Sequence, residues 1–168
     1  MWRLLVPSLC LASIFQINLE GLRQRGIRGL ILDLDNTLVA WGGDPEEKLF
    51  AWLRQVREAG MAVCIVSNND RARVKGFSDL AGIPAIPRAR KPRRRAFRAA
   101  MQVMGTAPEE TAVVGDQIFT DILGGNRLGL YTILVTPVAR REFIGTRLVR
   151  LLEKLVLIGL QKRTGPGT

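Results

Sequence analysis

From residue 28 onward, short apolar runs alternate with amphipathic stretches, and most runs end in a polar cluster. Residues 30–34, 61–66, 111–114 and 131–135 are short and almost wholly apolar. Runs of this kind read as strands buried on both faces. Residues 83–86 form a weaker strand signal, because prolines interrupt it. Pro45 opens a helical stretch to residue 59, with Leu49, Trp52, Leu53 and Val56 on one face and Gly60 as its stop. Residues 70–80 read as a second helix, ended by Gly82. A third starts at Pro92 and aligns Phe97, Ala100, Met101 and Met104, and residues 118–128 form a fourth. Strand–helix alternation of this kind predicts an α/β fold, a single Rossmann-like domain whose parallel sheet has helices on both faces. The 168 residues suit one domain.

The flanks differ from this core, which spans residues 28–138. Residues 4–19 carry no charge and follow Arg3, a loose likeness to a secretory leader. Pro7, Ser8, Gln16 and Asn18 interrupt the stretch, and it is shorter than the ~20 apolar residues of a spanning helix. Residues 1–27 are therefore expected to form a helical segment packed on the domain or lying on a membrane. In residues 139–164, Ile144, Leu148, Leu151, Leu152, Leu155 and Ile158 recur at helical spacing, while Arg147, Arg150, Lys154 and Lys162 lie largely elsewhere. A basic amphipathic helix of this type suits an anionic membrane, and equally the domain's own core or a second copy. Residues 165–168 are expected to form a frayed tail.

Composition narrows the chemistry. The chain has no histidine, which excludes a Ser-His-Asp triad, an HExxH zinc site and histidine phosphotransfer. Two cysteines, Cys10 and Cys64, supply no disulfide framework and suit a reducing, cytoplasmic setting. A cysteine phosphatase loop would need arginine six residues after Cys64, where Asp70 stands, and no GxxxxGK[ST] loop occurs. Catalysis is left to carboxylates, hydroxyls, Lys, Arg or a hard metal ion. A net charge of +10 favours an anionic partner. Arg88, Arg90, Lys91, Arg93, Arg94, Arg95 and Arg98 form one basic cluster.

In folds of this class, ligands bind beyond the carboxyl ends of the strands. Four polar clusters sit at or beside those ends: Asp33-Leu34-Asp35-Asn36-Thr37, Ser67-Asn68-Asn69, Ala89-Arg90-Lys91-Pro92, and residues 115–121 with Asp116 and Asp121. Asp33 and Asp35, two residues apart, face the same way in extended backbone. Carboxylates held this close repel unless a cation or proton lies between them. Asp116 would add a third hard oxygen donor, a set that suits Mg²⁺. Ser67 offers a hydroxyl, and Lys91 an ammonium for phosphate oxygens. The combination describes a phosphoryl-transfer site. Taken singly, Thr37 reads as a turn residue, and Asp121 as a cap or pair within its own helix.

These motifs, together with residues 27–41, 65–69, 82–86, 89–92, 113–117 and 120–138, resemble the haloacid dehalogenase (HAD) superfamily of phosphatases, in its subclass IIIA, YqeG-type branch. The resemblance implies that Asp33 is the nucleophile that becomes an aspartyl phosphate and that Asp35 is the general acid and base. It implies that Ser67, Asn68 and Lys91 bind the substrate phosphate. Asp33, Asp116 and the main-chain carbonyl of Asp35 would ligate Mg²⁺, with Thr37 and Asp121 in support. Residues 36–44 are too few for the cap domain that many such enzymes insert. Capless relatives include phosphatases acting on phosphatidylglycerophosphate, so the resemblance implies an anionic phospholipid substrate, met at the inner face of a membrane. A phosphatase acting on nucleic-acid or protein phosphates, and a non-catalytic RNA- or ribosome-binding module, are the rival readings. With 6% aromatic residues and no base-stacking cluster, nucleic acid is the weaker partner.

Overall fold

The computed structural model describes residues 2–139. The described strands and α-helices, in chain order, begin with β1 (Leu9–Leu11), α1 (Leu19–Gln24), β2 (Gly29–Leu32) and α2 (Glu47–Glu58). They continue with β3 (Ala62–Val66), α3 (Arg71–Ala81), β4 (Ala85–Ile86) and α4 (Arg94–Met104). β5 (Thr111–Gly115), a π-helical turn (Ile118–Ile122), α5 (Leu123–Asn126) and β6 (Tyr131–Val135) complete them. The strands form one parallel sheet in the order β1-β6-β5-β2-β3-β4. The expected α/β fold with a parallel sheet is therefore present. The short β4 begins two residues later than the pattern suggests, because Pro84 lacks the N–H that a ladder needs.

Alternation along the central strands sorts the core into two layers. Leu30, Leu32, Val63, Ile65, Ala112 and Val114 face one side, where Leu49, Trp52, Leu53, Val56 and Phe77 of α2 and α3 cover them. Ile31, Cys64, Val66 and Val113 face the other, against Ala96, Phe97, Ala100 and Met101 of α4. Both faces are covered, so both sets of alternate positions are apolar, as a buried parallel sheet demands. α5 follows the π-helical turn and lies tight on the sheet. A Cβ on Gly125 would stand 2.4 Å from Val113, and one on Gly124 2.5 Å from Phe97.

The N-terminal flank corrects an expectation. Residues 2–27 are helical only in α1 and in two 3₁₀ turns, Trp2–Leu5 and Ile14–Gln16. The two turns flank strand β1, which pairs with β6 at the sheet edge. Three residues are too short a run to show a period. The Ser8 N–H donates to the carbonyl of Thr132 at 2.9 Å, and the Asn126 side-chain amide donates to the carbonyls of Leu4 and Val6. The expected C-terminal helix over residues 140–163 and the tail over 165–168 lie outside the described residues.

Candidate active site

Chain order reverses between β2 and β5, which lie side by side at the centre of the sheet. Their carboxyl ends carry Asp33 and Asp116. The Asp33 N–H donates to the Val114 carbonyl at 3.0 Å, so Asp33 sits just past the last residue of β2. Thr37 Oγ1 lies 3.1 Å from Asp33 Oδ2 and 3.3 Å from Asp116 Oδ1, and its single proton is shared between the two carboxylates.

Asp121 reaches the same place from the π-helical turn, a geometry often found at functional sites. The turn is closed by the N–H groups of Asp121 and Ile122 on the Gln117 carbonyl. Gly115 makes room for it: a Cβ there would stand 2.3 Å from the Asp121 carboxyl group. The close approach that Gly115 permits is thus by a side chain of the protein itself. One carboxylate oxygen each from Asp33, Asp116 and Asp121 lies within 4.8 Å of the others, and all three residues are buried.

Lys91 enters from the loop between β4 and α4. Its Nζ lies 2.5 Å from Asp33 Oδ1 and 2.6 Å from Asp121 Oδ1. Burial works against the ammonium, but the charges of Asp121 and Asp33 outweigh it and hold the Lys91 pKa above its ordinary value. For Asp33, burial pushes the pKa up and the Asp121 charge adds to the rise. Lys91 and Thr37 pull it down, and the balance is about 6. Three carboxylates gathered around one ammonium carry a formal charge of −2 when ionised. Their donors are all hard oxygens, with no imidazole or thiolate among the three residues, and such a set fits a small divalent cation of the Mg²⁺ type.

Asp35 points elsewhere. Its Oδ1 accepts from Arg73 Nε at 2.7 Å, and its Oδ2 from Asn69 Nδ2 at 3.0 Å. The chain turns at Asn36, whose φ of 64° lies in the left-handed region that asparagine tolerates better than most residues. Ser67 is buried directly after β3, and its Oγ accepts from the Asn69 N–H at 3.0 Å. Asn68 is exposed, and its Oδ1 accepts from the main-chain N–H of Lys91 at 2.7 Å. Asn68 thereby holds the loop that carries Lys91.

Asp33, Asp35, Ser67, Asn68 and Lys91 line one opening of about 210 Å³, with Trp41 on its rim. Thr37, Asp116 and Asp121 stand behind Asp33. Of the two residues that hold Asp35, Asn69 belongs to the Ser67-Asn68-Asn69 cluster read from the sequence, whereas Arg73 was not singled out. A signal for Arg73 existed. It lies in the first turn of a helix that starts just beyond the Ser67 cluster, with Asp70 as its N-cap, so that turn borders the strand ends. The thiol of Cys64 is buried and its pKa is pushed up to about 11 by that burial, so it is an inert core residue.

The chain is similar to known phosphatases in sequence and in fold. A family model described as HAD-hydrolase-like matches residues 88–142. The chain is 44% identical over 159 residues to the probable phosphatase YqeG of Bacillus subtilis, covering 94% of this chain and 92% of that protein. It is 32% identical over 170 residues to phosphatidylglycerophosphate phosphatase 1, chloroplastic/mitochondrial, of Arabidopsis thaliana. That match covers 90% of this chain and 47% of the plant protein, so the chain spans about half of that relative's length. Among solved structures, the cobalt-bound deoxy-D-mannose-octulosonate 8-phosphate phosphatase of Haemophilus influenzae shares the fold. It has a TM-score of 0.56 and 16% identity over 79% of this chain and 88% of that one.

Proposed function

The chain belongs to the YqeG-type phosphatases of the HAD superfamily, and on that premise we propose that it hydrolyses phosphatidylglycerophosphate to phosphatidylglycerol through a phosphorylated Asp33. The observation that carries the chemistry is the convergence of Asp33, Asp116 and Asp121 with Lys91 in one buried cluster. The substrate reading rests on the likeness to the plant phosphatidylglycerophosphate phosphatase.

Asp33 attacks phosphorus through a carboxylate oxygen, and the bond to the leaving oxygen breaks. Lys91 neutralises phosphoryl oxygens, and the Ser67 hydroxyl donates to one of them. Asp35 protonates the leaving alkoxide, then takes a proton from the water that attacks the aspartyl phosphate. Arg73 and Asn69 hold the Asp35 carboxylate in place between those two transfers. The carboxylates of Asp33 and Asp116 and the main-chain carbonyl of Asp35 would hold Mg²⁺, with Asp121 and Thr37 in support. A bound Mg²⁺ ion offsets the negative charge that carboxylates and phosphoryl group bring together.

Access supports a bulky substrate. Among the described residues, only turns join β2 to α2, and only α3 and β4 lie between β3 and the Lys91 loop, so no inserted domain covers the opening. A lipid phosphate needs such an approach, because its leaving group cannot be enclosed. The test is Mg²⁺-dependent phosphate release from phosphatidylglycerophosphate in detergent micelles, beside soluble phosphate esters and 5′-phosphorylated oligonucleotides. The lipid should be preferred. Release from oligonucleotides alone would replace the substrate and keep the chemistry, whereas equal rates for wild type and Asp33→Asn would remove the nucleophile.

A further inference from the structure

The opening has two unlike banks. On one bank, the turn after Asp35 brings out Trp41, which is 52% exposed and whose main-chain N–H donates to Asn36 Oδ1. Val138, 54% exposed, is tied to the same turn through its N–H on the Asn36 carbonyl at 2.8 Å. On the other bank runs the loop that carries Lys91. Residues 87–95 hold six basic side chains and no acidic one. The loop is fastened to the mouth by the Arg88 N–H on the Asn69 carbonyl and by the Lys91 N–H on Asn68.

Arg88 and Arg90 are exposed, with φ of 50° and 54°. L-residues with a Cβ pay for that conformation, and glycine or asparagine would adopt it more cheaply. The Arg88, Arg90 and Arg93 guanidinium groups form no ion pair among the described residues. Asp79, the nearest acidic residue in sequence, pairs with Lys75, and Asp70, which borders the opening, uses its carboxylate to cap α3. An exposed indole beside unpaired cations at the entrance to a site for a phosphate ester matches the chemistry of a membrane interface. Tryptophan prefers the headgroup level, and arginine pairs with lipid phosphates.

We propose that this mouth docks onto an anionic bilayer, with Arg88, Arg90 and Arg93 on the headgroup phosphates and Trp41 seated in the interface. Resting on the lipid-phosphatase reading, this assigns the surface through which the enzyme meets its substrate. The opening then faces the headgroup layer, and a lipid phosphate reaches Lys91 without leaving the bilayer. Lipid is favoured over nucleic acid because the mouth offers one exposed indole beside a basic bank, where a strand of bases needs successive stacking platforms.

The test uses the full chain and vesicles of phosphatidylcholine with or without phosphatidylglycerol. Wild type should sediment with the anionic vesicles and be released by salt. The R88G/R90G variant relaxes both left-handed positions, so a fall in binding is not a failure to fold. Its partition should drop about fivefold for each arginine removed. Quenching of tryptophan emission by lipids brominated in the acyl chain should be lost in W41F. Three results would each overturn the proposal: no preference for anionic over neutral vesicles, R88G/R90G binding like wild type, or displacement by a single-stranded oligonucleotide at lower concentration than by lipid. Hydrolysis in detergent micelles separates the two readings. If it fails while arginine-dependent vesicle binding holds, the substrate falls and the docking face stands. If it succeeds while vesicle binding fails, the docking face falls.

Discussion

The β2–β5 seam and the β1–β6 edge are both parallel ladders, yet their polar groups serve opposite ends. At the seam the polar groups past the strands are ionisable: Asp33, Asp116, Asp121 and Lys91, all buried. At the edge they are neutral. The Ser8 N–H and the Asn126 side chain both bond the Thr132 hydroxyl, and Asn126 holds the carbonyls of Leu4 and Val6. Buried charge costs stability unless it is matched, and it is kept where chemistry needs it. Neutral hydrogen bonds that close an edge serve the fold alone. Substitution at the seam should therefore change rate far more than stability, and substitution at the edge should do the reverse.

The largest effect that tests this contrast is Asp35→Asn. It should lower kcat by about 10²–10⁴-fold in an assay of phosphate release, with the circular dichroism unchanged. Arg73→Ala should cost a smaller share of the same step, and Arg73→Lys should restore part of it. Next comes Gly115→Ala. The new Cβ falls on the Asp121 carboxyl and displaces Lys91's second partner. A shift of about 1 Å at such a site costs about a hundredfold in rate. If Gly115→Ala keeps full activity, the carboxylate cluster is not the working site.

A third prediction concerns pH. The native pKa of Asp33, about 6, lies above the ~3.9 of an unfolded chain. Native protein therefore holds a proton that the unfolded chain has released. In the metal-free protein, the stability of wild type relative to Asp33→Asn should fall as pH rises from about 4 to about 6, and level off above. Paired thermal melts across that range check it, and a difference that rises instead would mean the Asp33 carboxylate is stabilised by its surroundings. The smallest effect lies at the edge. Thr132→Val removes the hydroxyl that Ser8 and Asn126 engage, and should cost about 1–2 kcal/mol in denaturant melts with kcat unaltered.

The same contrast explains what the sequence made legible. The seam was readable because each of its strands is an uninterrupted apolar run and because Asp33, Ser67, Lys91 and Asp116 follow strand ends at recurring places. The parallel order then had to bring those ends together. β1 was unreadable because three residues show no period, and its partner β6 lies more than a hundred residues away. Within the site, the partners of Asp35 were harder to see than Asp35 itself. Arg73 is one of 25 basic residues and belongs to none of the four strand-end clusters, and it reaches the carboxylate from the first turn of α3. Gly115 admits a side chain six residues on, because a π-helical turn folds Asp121 back over the strand end.

The central claim is that Asp33 carries the phosphoryl group, and rapid acid quench during turnover tests it most directly. With ³²P-labelled substrate and Mg²⁺, the label should appear transiently on the peptide that contains Asp33, at a rate no slower than product release. It should be lost on treatment with hydroxylamine, as an acyl phosphate is, and be absent in Asp33→Asn. Phosphate released at the full rate with no label on that peptide at any time point would contradict the account.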